Sequence, residues 1–149
     1  MPKHAEKRHL PYKPEAMFSI VANVEKYPEF LPWCVGARVI RREKRAAMQI
    51  EQADLMVGFK GITQIYTSEV TLDPADLTID VVQLRGPFRH LVNHWRFERA
   101  ADGGTEIDFM IDFDFRNPLL RTLINRLFGD AVRRMVSAFE ARAAALAAG

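Results

Sequence analysis

A strand that runs directly into a long helix limits the folds open to this chain more than any other feature. Large apolar residues occupy every second position of the strand: Ile107, Phe109, Ile111, Phe113 and Phe115. This alternation predicts a β-strand with one buried face. Asn117 and Pro118 are typical of a helix start. The 31 residues that follow Pro118 are enough for a predicted helix of about 29 residues, roughly 43 Å long.

The predicted helix has one broad apolar face, which must pack against another apolar surface. Its members recur at helical spacing: Leu120, Ile124, Leu127, Phe128, Ala131, Val132, Met135, Phe139 and Ala143. The apolar face of the preceding strand is the natural partner. The space between them is either a solid core or a cavity, and the pattern leaves both open.

The upstream sequence completes the predicted fold. Period-two alternation across residues 35–115 predicts about six antiparallel strands, with a β-bulge near residues 52–53 where the parity changes. Residues 3–10 predict a short strand, and residues 14–23 and 24–30 predict two short helices, the second capped by Asn23. We therefore expect an α+β fold, in which a curved antiparallel sheet of about seven strands wraps a long C-terminal helix.

Composition excludes several classes of protein. The 149 residues suit a single domain, residues 1–149, and 48% hydrophobic with 27% charged residues exclude a disordered chain. With 21 Lys and Arg against 19 Asp and Glu, the net charge of +2 is unlike that of a DNA-binding protein. The single cysteine, Cys34, excludes an internal disulfide framework. The start has no signal-peptide pattern, so we expect a cytoplasmic protein and leave peripheral contact with the inner face of the cell membrane open.

Four short motifs carry a resemblance to a known family. Tyr-Pro-Glu-Phe-Leu-Pro-Trp-Cys occupies residues 27–34, Phe-Lys-Gly-Ile residues 59–62, Gly-Pro-Phe-Arg-His-Leu residues 86–91 and Trp-Arg-Phe residues 95–97. In this order they resemble the coenzyme Q-binding START-like proteins of the polyketide cyclase/dehydrase superfamily, which have helix-grip folds. The bacterial ribosome-association toxins share this sequence family. The resemblance implies a deep apolar cavity under the C-terminal helix that binds a lipid-like molecule, with no metal and no cofactor.

The alternation and the resemblance together indicate candidate ligand-binding residues. Wall candidates face the space between sheet and helix: Phe18, Val57, Phe59, Trp95, Phe97, Phe109, Ile111, Phe113, Ile124, Phe128, Val132, Met135 and Phe139. Mouth candidates are Tyr27, Phe30, Trp33, Phe88 and Arg121. Aromatic residues at the mouth suit a flat quinone ring, which they can contact in offset or edge-on geometry.

Four segments each have a structural and a functional interpretation. Residues 27–34 are either an aromatic plug or an entrance. Residues 85–90 are either a solvated loop with Phe88 tucked inward or a cavity rim that touches a bilayer. The basic residues 38–45 are either a solvated hairpin tip or a docking surface. Arg121 either extends to solvent or donates a hydrogen bond to a ligand oxygen.

The polar residues give little support for catalysis. Asp108, Asp112 and Asp114 alternate with apolar neighbours, so they are predicted to point away from any cavity and form no acid–base pair. The four histidines show no metal-ligand spacing, and Cys34 lacks the local pattern of a nucleophile. We predict that the chain is not an enzyme.

The leading functional expectation is a lipid-binding protein. It would hold ubiquinone or a similar polyisoprenoid with the tail inward, support respiratory electron transport as a quinone chaperone or presenter, and contact the membrane transiently. The alternative is a ribosome-binding inhibitor of subunit association, which the family resemblance equally implies. An aromatase or cyclase is a third possibility, but it needs polar groups inside the cavity, and the inward positions offer almost none beyond Asn93.

Overall fold

The computed structural model describes residues 3–59 and 61–148, and within them seven antiparallel strands and three helices form the fold. In chain order these elements are β1 (Lys3–Leu10), α1 (Pro14–Ala22), a 3₁₀ helix (Val24–Glu29), β2 (Cys34–Arg45), β3 (Met48–Phe59), β4 (Ile62–Asp73), β5 (Thr78–Arg85), β6 (Phe88–Arg99), β7 (Thr105–Phe115) and α2 (Pro118–Ala148). The strands form one sheet in the order β1-β7-β6-β5-β4-β3-β2. This confirms the predicted α+β helix-grip architecture.

The inner face of the sheet packs against α2 through aromatic side chains. The rings of Trp95 on β6 and Phe139 on α2 lie with centroids 5.3 Å apart, and the Phe113 and Phe128 rings lie at the same separation. Met17 and Val21 of α1 are buried in the same core. Burial of these apolar groups is the main force that holds the helix in the curve of the sheet.

Of the two predicted N-terminal helix caps, one is present. The side chain of Asn117 accepts a hydrogen bond from the Leu119 backbone N–H at 2.8 Å, which confirms the predicted cap of α2. The predicted cap at Asn23 is wrong, because its side chain forms no cap hydrogen bond at the 3₁₀ helix. Its backbone N–H instead bonds to the Ser19 carbonyl at 3.2 Å, where α1 ends.

The predicted β-bulge is present, but the extra residue lies on the facing strand. Val39 pairs with Ala53 and Arg41 pairs with Gln52, so Ile40 of β2 has no partner in the register. Ile40 is exposed, as expected for a residue that a bulge turns out of the sheet. The bulge predicted within β3 itself is wrong, because β3 pairs with β4 in one unbroken register. The apparent change of parity arises because the buried inward positions there are Glu51 and Ala53, whereas Met48 is exposed.

The segment 85–90 is a tight turn rather than a loop. β5 ends at Arg85 and β6 begins at Phe88, so two residues, Gly86 and Pro87, make the connection. Gly86 has φ +151°, and a Cβ there would lie 2.5 Å from the Cβ of Tyr66, so only glycine fits. The Gln83 amide bonds both to the Phe88 N–H, at 3.1 Å, and to the Phe88 carbonyl, at 2.9 Å. Phe88 is thereby held inside the protein.

Asp114 departs from the outward orientation predicted for the carboxylates of β7. It is only 2% exposed, and Arg121 Nε donates to Asp114 Oδ1 at 3.0 Å. A second guanidinium nitrogen of Arg121 donates to the Phe115 carbonyl at 3.2 Å. Because two residues separate β7 from α2, the first turn of the helix covers the end of the strand and buries the carboxylate. Asp108 and Asp112 stay partly exposed.

Candidate functional site

An apolar cavity of about 250 Å³ lies between the sheet and α2. Most of the sequence-predicted residues line it: Tyr27, Trp33, Val57, Trp95, Ile111, Phe113, Ile124, Phe128, Val132, Met135 and Phe139. Asn93 lines the cavity, as its predicted inward position requires. Further lining residues were not predicted as ligand contacts: Val21, Val24, Leu31, Pro32, Cys34, Leu55, Tyr66, Val70, Ile79, Val81, Leu91 and Ala131. The choice between a solid core and a cavity is thus resolved in favour of a cavity.

Three predicted wall residues pack elsewhere in the core. The Phe18 ring meets the Phe97 ring edge-on with centroids 6.1 Å apart, and Phe97 is almost fully buried. Phe109 packs on the far side of Trp95 from the cavity lining, with ring centroids 4.6 Å apart. These three side chains support the wall and do not line it. The side chain of Phe59 lies outside the described part of the structure.

Three predicted mouth residues also lie away from the cavity lining. Phe88 packs in a separate cluster with Phe115 and Tyr66, so it is not an apolar tip at the surface. Arg121 lies off the cavity lining, where its guanidinium binds the Asp114 carboxylate and the Phe115 carbonyl and not a ligand in the cavity. Phe30 faces an outer groove between α1 and the end of α2, a separate space of about 380 Å³.

The segment 31–34 and α2 form opposite walls of the cavity. Trp33 adopts a left-handed backbone conformation with φ +67°, which is rare for a bulky residue and costs about 1–3 kcal/mol. The Gly58 backbone N–H donates to the Trp33 carbonyl at 2.8 Å and holds this conformation. Strain of this kind is common at binding sites, and here it sets the indole on the lining.

Two of the polar side chains on the lining are already engaged. The Asn93 amide donates to the Met110 carbonyl at 2.8 Å and accepts from the Trp95 indole N–H at 2.9 Å. The Tyr27 hydroxyl donates to the Val21 carbonyl. Asn93 therefore fixes the wall rather than offering a free catalytic group.

The lining carries no charged side chain among the residues that the structure describes. Burial of a charge without a partner is costly, so an anionic head group is disfavoured inside. Within residues 3–59 and 61–148, no group of three or more His, Cys, Asp or Glu residues could hold a metal ion. In the same part of the chain, no helix is long and apolar enough to cross a membrane.

Burial raises the pKa of both cavity tyrosines, Tyr27 and Tyr66, well above the ordinary value for a phenol. Burial also raises the pKa of the Cys34 thiol, whose sulfur contacts the Gly36 carbonyl at 3.6 Å. The thiol is thus protonated at neutral pH and a weak nucleophile. The cavity offers neutral hydrogen-bonding groups and apolar surface.

Alkaline pH is expected to destabilise the protein through these tyrosines. Unfolded tyrosines ionise near pH 10, whereas the folded pKa values are higher, so only the unfolded state gains from ionisation just above pH 10. The free energy of unfolding should fall there by about 1.4 kcal/mol per pH unit for each buried tyrosine. Urea unfolding at pH 9, 10 and 11 measures it. Tyr66→Phe should show a shallower fall, and an equal fall in both proteins would contradict the account.

Sequence reasoning could have found most of the missed lining residues. Leu55 lies on the same face of β3 as Val57, and Leu91 shares the face of Trp95 on β6. Tyr66 and Val70 likewise share one face of β4. Alternation was therefore sufficient for the strands. The contributions of Leu31 and Pro32 depend on the path of a loop, which no periodicity describes.

The chain is similar both to ribosome association toxins and to coenzyme Q-binding proteins. Residues 10–140 match the family described as polyketide cyclase / dehydrase and lipid transport. The ribosome association toxin RatA of Rickettsia prowazekii is 36% identical over 137 residues, which cover 90% of each chain. The mitochondrial coenzyme Q-binding protein coq10 of Schizosaccharomyces pombe is 35% identical over 127 residues, covering 84% of this chain and 76% of that protein.

Solved structures agree with the fold. The 18 kDa protein CC1736 of Caulobacter crescentus is 34% identical, covers both chains completely and superposes with a TM-score of 0.83. The ZhuI aromatase/cyclase of a Streptomyces species is 18% identical, covers 95% of this chain and 93% of that one, and superposes with a TM-score of 0.78, which shows a shared fold alone. On the family match and these identities, the chain belongs to the polyketide cyclase / dehydrase and lipid transport family.

Proposed function

We propose that this protein binds the neutral head of ubiquinone or a similar polyisoprenoid in the cavity, and presents this lipid to the respiratory chain. The observation that carries the proposal is the cavity itself, which combines aromatic walls with no charged lining residue among those described. It is further supported by the 35% identity to a coenzyme Q-binding protein. We propose a binding role without catalysis, supported by the absence of an acid–base pair among the described lining residues.

The volume limits how much of the lipid can enter. A cavity of about 250 Å³ is smaller than the roughly 300–1,000 Å³ usual for sites that enclose drug-sized ligands. A quinone ring with the first part of its tail suits this space, and a long polyprenyl tail exceeds it. We therefore place the ring inside and most of the tail outside the protein.

Selectivity for a quinone over other lipids must come from contacts with its head group. A quinone tail starts in the bilayer, so its transfer to an apolar protein surface gains far less than the about 0.8 kcal/mol per methylene released on leaving water. Contacts with the ring must therefore distinguish a quinone from other lipids. Trp33 and Tyr27 lie on the lining where such aromatic contacts can form.

One end of the molecule suits contact with an anionic membrane. Three connections meet there: β3–β4, β5–β6 and β7–α2. We call this region the turn end and define it as residues 61–65, 84–89 and 115–119. The turn end contains no Asp or Glu and three arginines: Arg85, Arg89 and Arg116. It also exposes apolar side chains, with Leu119 81% exposed and Ile62 and Leu84 each 40% exposed. Cations beside exposed apolar groups favour the interface of an anionic bilayer at the cytoplasmic side.

Charge reversal at the turn end should weaken membrane contact. We expect Arg85→Glu/Arg116→Glu to bind vesicles of anionic phospholipid at least about tenfold more weakly, since each surface cation contributes about 1 kcal/mol. Vesicle co-sedimentation measures this. The matched control is Arg133→Glu/Arg134→Glu on the outer face of α2, where both arginines pair with Asp130. Equal losses in the two double variants, or no preference for anionic vesicles, would refute the docking site.

Ribosome binding is the second candidate function, favoured by the 36% identity to a ribosome association toxin. Arg42 and Arg45 of the basic hairpin tip, residues 38–45, are paired with carboxylates in the structure. Arg42 pairs with Glu25 at 2.7 Å and with Glu51 at 3.0 Å, and Arg45 pairs with Glu43 at 3.1 Å. These pairs reduce the charge available to RNA. Co-sedimentation with large ribosomal subunits that weakens steeply with salt would support this candidate instead.

A direct binding experiment tests the proposed function. Trp33 and Trp95 both line the cavity, so a quinone inside it should quench tryptophan fluorescence. We expect decylubiquinone, which has a short saturated tail, to quench saturably with one site per chain. Dodecanoate is the control, because its carboxylate should enter this uncharged cavity poorly. No saturable quenching by the quinone, or tighter binding of dodecanoate, would overturn the proposal.

A further inference from the structure

Tyr66 differs from the other cavity residues that carry a hydroxyl or amide. The side chains of Asn93 and Tyr27 form hydrogen bonds with other groups of the protein. The Tyr66 hydroxyl, on the same lining, forms none within the described part of the chain. Tyr66 is only partly buried, and its hydroxyl is not among the fully buried side-chain atoms that lack a partner in the described residues. A bound molecule that offers an acceptor can therefore form a hydrogen bond that the protein leaves open.

The ring of Tyr66 is held in place from two sides. It contacts the Phe88 ring edge-on, with centroids 5.1 Å apart, and Phe88 is itself fixed by both hydrogen bonds of the Gln83 amide. Its Cβ lies where a side chain on Gly86 would otherwise stand. The backbone of Tyr66 pairs with Leu55 of β3 in the sheet, which fixes it as well. The hydroxyl is therefore preorganised before a ligand arrives.

The nearby groups leave this hydroxyl available as a donor. Cys34 shares the cavity lining, but its thiol is directed to the Gly36 carbonyl. No charged side chain stands on the described lining to compete for the hydroxyl. Because burial raises its pKa, Tyr66 keeps its proton at every pH at which the protein would work. A proton donor in an apolar cavity suits a neutral acceptor such as a carbonyl or ether oxygen.

We propose that the Tyr66 hydroxyl donates a hydrogen bond to a carbonyl or ether oxygen on the head group of the bound lipid, and so selects oxygenated rings over plain polyprenyl chains. This inference rests on the proposed function, since it assigns a contact within the same cavity. It makes Tyr66 a specificity residue rather than a catalytic one. Only the first part of the lipid tail then contacts the apolar wall, and the rest lies outside the cavity.

The test compares Tyr66→Phe with wild type, using decylubiquinone as the probe. Loss of one neutral hydrogen bond should weaken binding about threefold to tenfold. The phenylalanine keeps the ring that packs on Phe88, so the fold should persist. Tyr12→Phe is the matched control, because Tyr12 lies on the separate outer groove and not on the cavity lining, so quinone affinity should stay within about twofold.

Infrared spectroscopy of the bound quinone gives a second readout that a change in packing would not produce. The carbonyl stretching band should shift to lower frequency in the wild-type complex and return to its position in hydrocarbon in Tyr66→Phe. An unshifted band in wild type, or equal losses of affinity in both variants, would overturn the role of Tyr66 while leaving quinone binding intact. Failure of wild type to bind decylubiquinone would overturn the proposed function and this inference together.

Discussion

Phe128→Arg is expected to reduce the amount of bound quinone to below about a tenth of the wild-type value. Phe128 lines the cavity from α2, and its ring packs against the Phe113 ring with centroids 5.3 Å apart. An arginine there would fill the cavity and bring a guanidinium into apolar surroundings, where it lacks an anion on the described lining. Quenching by decylubiquinone measures the loss.

A variant three residues earlier controls for the new charge on the helix. Asn125 is exposed on α2, so Asn125→Arg adds the same side chain outside the cavity and should leave quinone binding unchanged. Because Phe128 is only half-buried, Phe128→Arg should keep the far-ultraviolet circular dichroism spectrum of wild type, which shows that ligand loss is not unfolding. Retention of the quinone by a folded Phe128→Arg would show that the ligand lies elsewhere.

Arg121→Met is expected to lower the free energy of unfolding by about 2–3 kcal/mol. The change leaves the Asp114 carboxylate, which is 2% exposed, without its 3.0 Å partner. Removal of one partner of a buried ion pair costs about 3–5 kcal/mol. The loss should be smaller here, because about a third of the Arg121 side chain is exposed and Arg89 lies 3.9 Å from the same carboxylate.

Thermal unfolding measures this cost, which corresponds to a fall in Tm of roughly 5–10 °C for a chain of this size. Arg126→Met on the exposed side of α2 is the control and should change stability by less than about 0.5 kcal/mol. Asp114→Leu/Arg121→Met should recover part of the loss, because no unpaired charge then remains. A double variant no more stable than Arg121→Met would contradict the ion-pair explanation.

Regular alternation made the sheet and its cavity face predictable. Residues that point inward on β7, such as Ile111 and Phe113, reach the lining as their parity requires. Phe109 has the same parity but packs against Trp95 outside the cavity, since parity gives a face of the sheet and not a position along it. The extent of the cavity depends on where α2 crosses the sheet, which the sequence pattern does not specify.

Connections between elements were harder to predict than the elements themselves. Phe88 belongs to β6 because the Gly86–Pro87 turn is shorter than the motif suggested. Asp114 is buried because α2 starts close enough for Arg121 to reach it. Both outcomes depend on contacts between segments whose separation in space is fixed only by the complete fold. Alternation on β4 could have placed Tyr66 on the lining. Its open hydroxyl could not be predicted, because it shows only in comparison with the hydrogen-bonded Asn93 and Tyr27.

Lipid binding in the cavity is tested most directly by identifying the molecule that the protein carries in the cell. The protein would be purified from its native host under mild conditions and extracted with organic solvent, and the extract analysed by mass spectrometry. We expect the extract to contain ubiquinone or another neutral polyisoprenoid with an oxygenated ring, close to one molecule per chain. An extract without such a lipid, or one dominated by fatty acid or phospholipid, would contradict this expectation.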